Sequence, residues 1–309
     1  MILGHCGEIP YMPFRHFIFT FHMPLFFIIS GYFFKRKSIK KSLISDIRHL
    51  MYPYFFTCCA LIVLSLLLAF HNGNYRQVIY YIAAAFIGSG GSTRSCLYLS
   101  HVPSIGAIWF FPALFICKNI YNYISIYSIQ KRMFYSSIIF VCATIIGRYL
   151  IFIPFSVLSG LSAIIFYAIG DFFKTQFKIK AIHWILGITC WIIAFEYSHL
   201  YIVNPQIDLY FIDVIGATTA SVICFLFSKK IECVRYFSQF LSWLGKNTMY
   251  VLCFHLIDLN IGISTFLAQG GNTLLTICIR LVFPITTMFL FIKIKRIISE
   301  KCGSTKLVR

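Results

Sequence analysis

The feature that most constrains this chain is a series of apolar stretches, each near twenty residues long, separated by short loops that hold its positive charge. Crossing about 30 Å of hydrocarbon takes roughly 20 residues of helix, because no water is present there to satisfy an open backbone. Nine stretches reach that length: 15–34, 51–70, 105–126, 133–153, 155–173, 181–202, 208–228, 246–267 and 273–297. The apolar segment 77–88 is too short and reads as an interfacial or re-entrant piece. The expected fold class is all-α, a polytopic transmembrane helix bundle. Charged residues make up 12% of the chain, against about 25% in an ordinary soluble domain. A soluble domain, a collagen, a disordered tail and a secreted disulfide scaffold are excluded.

The 27 basic and 9 acidic residues give a net charge of +18. The basic ones cluster at Lys35–Lys41 and Arg48, at Lys131 and Arg132, at Lys174–Lys180, at Lys229–Arg235 and from Lys293 to the end. A nucleic-acid footprint would place them on one soluble face. Here they punctuate apolar spans, as cytoplasmic loops do under the positive-inside rule, so no nucleic-acid partner is expected. Alternating the nine spans puts every cluster on one side, with the C-terminus in the cytoplasm. Counting 77–88 as a crossing would turn Lys131 and Arg132 outward. An odd number of spans places residue 1 outside, yet Met1–Gly4 looks like the last turn of an apolar helix. The expectation is nine spans present of ten, with about 15–20 residues of a first span missing before Met1.

Eight of the twelve cysteines lie inside apolar runs and none shows a metal-ligand spacing, so they read as small buried hydrophobes and no metal is expected. No signal peptide and no internal repeat is visible.

Polar groups at membrane depth are costly, and each is a functional candidate. His5, with Glu8 three residues on, reads as a general base or as an interfacial histidine. His22 stands mid-span two residues before Pro24, which frees a carbonyl and kinks the helix; Ser30 and Gly31 permit a close helix approach. His255 and Asp258 share one helix face, as a proton relay or a self-satisfying buried pair. Arg148 and Arg280 either snorkel outward or bind an anionic or sugar-like group within the bundle. Asp171, Glu196, Asp208 and Asp213 lie near span ends and read as interfacial. Arg48 and the cluster beginning Lys35, Arg36 face the cytoplasm, where side-chain charge would suit a phosphate-bearing donor. No phosphate-cradling glycine loop is present.

Five motifs stand in order along the chain: LGH at 3–5, FTFHMPLFFIISGYFF at 19–34, RHLMYPYFF at 48–56, AIWFFPALF at 107–115 and SWLGKNTMYVLCFH at 242–255. Together they resemble the membrane acyltransferase family 3, over nearly the whole chain. The resemblance implies one domain over 1–300 with a cytoplasmic tail at 301–309, in a bacterial inner membrane. It implies transfer of an acyl group, commonly acetyl, from acyl-coenzyme A to a hydroxyl of a cell-surface glycan or its lipid-linked precursor. The family's essential histidine ends its first helix after a glycine, which matches Gly4-His5. The basic residue that precedes it by about ten positions in the family has no counterpart, since only four residues stand before His5. The expected roles are His5 as catalytic base, Glu8, His22, Arg148, His255, Asp258 and Arg280 as relay or acceptor-site groups, and Arg48, Lys35, Arg36 and Trp109 along the acyl-CoA path. The rival expectations are a carrier or flippase for a lipid-linked sugar, and an inactive truncated member.

Overall fold

The computed structural model describes residues 12–91, 103–149, 153–175, 180–203, 205–263, 267 and 273–301. Apart from one two-stranded hairpin and an isolated bridge, its regular structure is helical. Six helical stretches are long and apolar enough to cross a membrane: 14–32, 39–72, 129–148, 157–175, 211–231 and 275–298. The spans expected at 105–126, 181–202 and 246–267 fall on shorter helices, α6 (Phe110–Ile124), α10 (Ala181–Tyr197) and α13 (Thr248–Ile261). The chain is a multi-pass membrane protein with an all-α fold.

The first stretch shows how local chemistry shapes these helices. α1 (Met12–Phe19) and α2 (His22–Tyr32) are separated at Thr20–Phe21. Pro24 has no N–H to offer the Thr20 carbonyl, so the ladder breaks there, and Thr20 is held instead by its side chain. Its hydroxyl donates to the Phe17 carbonyl at 2.8 Å and accepts from the Trp191 indole at 3.0 Å. The same cause acts where α3 (Ile39–Asp46) meets α4 (Tyr52–Asn72). Pro53 cannot donate to the His49 carbonyl, and the intervening Ile47–Met51 widens into a π-helical turn.

α2 packs most extensively on α9 (Ile164–Thr175). A Cβ on Gly31 would fall 1.9 Å from the Tyr167 carbonyl oxygen, and one on Gly170 would fall 2.1 Å from that of Ile28. Two glycines on facing helices thus bring the backbones into contact. α10 packs on α11 (Phe211–Ile231), α13 on α14 (Thr273–Lys301), and α4 on both α13 and α5 (Arg76–Ile87). The fully buried Tyr54 donates to the Ala85 carbonyl at 2.7 Å, pinning α5 to α4. Tyr121, Tyr167, Phe27, Phe111, Phe140 and Phe166 fill the centre. The outward faces carry large apolar groups such as Leu67, Ile79, Ile185, Val282 and Leu290, suited to lipid rather than water.

α7 (Ile129–Tyr149) and the short α8 (Val157–Ser162) complete the bundle. Beyond α10, the hairpin of β1 (Leu200–Tyr201) and β2 (Gln206–Ile207) pairs Leu200 with Ile207 and Tyr201 with Gln206. α12 (Arg235–Lys246) has no buried residue and barely touches its neighbours, α13 above all.

Candidate active site

A cavity of about 700 Å³ runs between the two ends of the bundle. At the end opposite the basic loops its wall is Leu200–Val203 of the hairpin, Gly106, Ala107 and Asn260. At the basic end it is lined by Gly245, Thr248 and Met249, where α12 turns into α13. Phe19, His22, Phe26 and Ser30 form one side and Trp109, Phe110 and Leu114 another. The lining is mainly apolar with a few convergent polar groups, the usual character of a small-molecule site.

His22 is 7% exposed and its Nδ1 lies 3.1 Å from the Ile18 carbonyl oxygen. A carbonyl only accepts, so Nδ1 carries the proton and Nε2 is the basic nitrogen. Phe19 packs edge-on to the ring at 4.8 Å. Trp109 ends the 3₁₀ turn Gly106–Trp109 and is 6% exposed. Gly90 permits its position, because a Cβ there would meet the indole at 2.0 Å. Gly106 has φ +74°, a conformation side-chain-bearing residues rarely adopt. Asn260 accepts from the Tyr81 hydroxyl at 3.1 Å and donates to the Leu256 carbonyl at 2.9 Å.

The remaining sequence candidates separate in space. His255 and Asp258 are fully buried but are not among the residues that line the cavity, whose α13 wall includes Leu252, Leu256, Leu259 and Asn260. Arg280 of α14 turns inward, its Nε 3.6 Å from Asp258 Oδ2. Arg148 lies at the end of α7, 3.3 Å from Asp208. Lys35, Arg36 and Arg48 are exposed at the basic end. His5 and Glu8 lie outside the described residues.

Two of the carboxylates read as interfacial are buried instead. Asp171 accepts from Arg132 at 2.8 Å and from the Tyr121 hydroxyl at 2.7 Å. Asp213 accepts from the Ser198 hydroxyl at 2.8 Å and the Leu209 N–H at 2.9 Å. Asp46, not singled out in the sequence, is 2% exposed and ion-paired with Lys118 at 2.5 Å. Each is held by a partner distant in sequence or across a turn, as buried charge requires, although Asp213 Oδ1 has no hydrogen-bond partner among the described residues. Sequence reading also missed Ser30, Thr248 and Asn260 as cavity groups; their only signal was polarity inside apolar helices. Lys246 follows the cavity residue Gly245 directly, and so stands at the basic mouth. Among the described residues no three His, Cys, Asp or Glu side chains converge as metal ligands would.

A lipid-facing helical bundle enclosing such a cavity is the framework of an integral membrane protein that handles a small substrate within the bilayer. A family model described as an acyltransferase domain matches residues 1–293. The chain belongs to the membrane acyltransferase family 3. No curated protein and no solved structure matches it.

Proposed function

We propose that this membrane acyltransferase is an O-acyltransferase of the bacterial inner membrane. It moves an acyl group, acetyl in the simplest case, from acyl-coenzyme A on the basic side to a hydroxyl of a surface glycan or its lipid-linked precursor on the other. The observation that supports this reading is the cavity itself, which has walls at both ends of the bundle. A donor carrying phosphates suits the end where Lys35, Arg36, Arg48 and Lys246 supply positive charge. The apolar middle, with Trp109 and Phe110, suits an acyl thioester.

In this mechanism His5 accepts the proton of the acceptor hydroxyl as its oxygen forms a bond to the thioester carbonyl carbon. The C–S bond breaks, and the coenzyme A thiolate leaves with the proton returned from the imidazolium. His22, with Nε2 as its basic nitrogen, lines the path and serves as a second proton-handling group.

The test is acetyl-CoA turnover in proteoliposomes, read as free coenzyme A by chromatography and as base-labile acetyl on added glycan. His5→Ala is expected to lower transfer by about 10²-fold or more while insertion is retained. Full transfer by that variant would overturn the assignment. Movement of lipid-linked sugar without release of coenzyme A would point to a carrier instead.

A further inference from the structure

A separate groove of about 310 Å³ lies between α2 and α11, with Phe173 of α9 in its wall. α2 stands between it and the deep cavity. Met23, Phe26 and Ser30 line the deep cavity, Leu25, Ile28 and Tyr32 line the groove, and Ile29 lines both. Half-exposed Ile29, Tyr32, Phe225 and Leu226 open the groove to the outside of the bundle. None of the roles assigned above uses it.

Its two long walls are written with one spacing. Leu25, Ile28, Ile29 and Tyr32 on α2 match Val222, Phe225, Leu226 and Lys229 on α11, each set at i, i+3, i+4 and i+7. Each set therefore makes one stripe about 10 Å long. Both helices run toward the basic end, since α2 leads into Lys35–Lys41 and α11 finishes at Lys229 and Lys230. The Ser221 hydroxyl, also in the wall, donates to the Ala217 carbonyl at 2.7 Å. The length of the groove is thus apolar in effect, and polarity enters at the basic end with Tyr32 and Lys229.

Among the described residues that line the groove, Lys229 carries the only charge. Its Nζ lies 5.0 Å over the ring of Phe225, which keeps the ammonium beside the groove. The rings of Phe225 and Tyr32 approach to 6.1 Å across it. Lys174, next to Phe173, donates instead to the Phe34 carbonyl at 3.0 Å. An apolar slot that ends in a cation at the headgroup level matches a molecule with a hydrocarbon chain and an anionic head. The volume, at the lower bound of about 300 Å³ for small-molecule pockets, suits part of one chain. The cytoplasmic leaflet supplies such molecules at this depth, and basic pockets between helices on that side hold their headgroups.

We infer that the groove between α2 and α11 is a binding site for an anionic phospholipid. One acyl chain lies along the two stripes, and the phosphate is held by Lys229. No step of the transfer reading above uses the groove, so this inference stands or falls apart from it.

The experiment is native mass spectrometry of the full chain in detergent. Phosphatidylglycerol and phosphatidylcholine with identical acyl chains are added in equal amounts. Phosphatidylglycerol is expected to be retained about fivefold more tightly, the worth of one lysine at a headgroup. Lys229→Gln should reduce its retention to that of phosphatidylcholine. Lys229→Arg keeps the charge and the preference, which shows that the loss is not one of folding. Lys230→Gln removes the same charge one position away and should leave the preference in place. Leu226→Trp fills the groove and should lower retention of phosphatidylglycerol with Lys229 still present. Equal retention of the two lipids overturns the inference. So does a loss as large in Lys230→Gln as in Lys229→Gln, which would mean a diffuse surface charge, or an undiminished preference in Leu226→Trp, which would mean a headgroup contact without a chain site.

Discussion

Gly31 and Gly170 sit where two backbones touch and no side chain fits. Gly31→Ala forces a methyl group against the Tyr167 carbonyl, which cannot retreat while α2 and α9 remain packed. The expected cost is about 1–3 kcal/mol, checked as a lowered thermal midpoint in detergent. Asp171 depends equally on its neighbours. Arg132→Met removes its cation and leaves a carboxylate that is 6% exposed, with Tyr121 as its remaining hydrogen-bond donor among the described residues. A loss of about 3 kcal/mol is expected, whereas Tyr121→Phe should cost only about 1 kcal/mol. Asp171→Asn placed on Arg132→Met should restore part of the larger loss, which denaturation of the double variant would show. None of this was legible locally. Asp171 lies near a span end and looks interfacial, while Arg132 and Tyr121 stand 39 and 50 positions away. His22 was legible, because a histidine inside an apolar stretch beside Pro24 is conspicuous without knowing its contacts.

The helix α12 shows the opposite case, an element written plainly in the sequence but hidden by the scale at which it was read. A twenty-residue window finds spans and passes over twelve residues among basic ones. At helical spacing, Tyr236, Phe237, Phe240, Leu241, Trp243 and Leu244 fall on one side, and Arg235, Ser238, Gln239, Ser242 and Lys246 on the other. Such a helix lies along a bilayer surface with its apolar side down and its cations at the headgroups. With the other three tryptophans replaced by Phe, Trp243 fluorescence should be quenched by lipids brominated on the acyl chains. An unquenched Trp243 would mean that this side faces water. The same window placed nine spans, and six fall on helical stretches long and apolar enough to cross a membrane, some of them made of two consecutive helices. The others were harder to delimit because α13 gives way at Gly262, and because α6 is preceded by a 3₁₀ turn that extends it without adding helical length to match. The β hairpin left no trace beyond Pro205 and polar neighbours, since two-residue strands carry no alternation to detect.

At the scale of the molecule, charge decides which way the bundle sits. Lys35, Arg132, Lys174, Lys230 and Lys295 fall at one end, while Asn72, Tyr201 and Gly262 fall at the other. An epitope inserted after Glu232 should be accessible only from the cytoplasm, and one inserted after Gly73 only from outside, as antibody binding to intact and permeabilised cells would report. The deep cavity spans much of the distance between those ends. A passage through a membrane is a hazard to the cell, because water inside it would let protons and ions discharge the membrane potential. Here Phe26, Phe110, Leu114, Leu252 and Leu256 line the cavity, and apolar walls of this kind shed water and oppose ions. On the transfer reading proposed above, the apolar wall that suits a thioester also acts as an electrical insulator, so that a group crosses the bilayer while the voltage across it is kept.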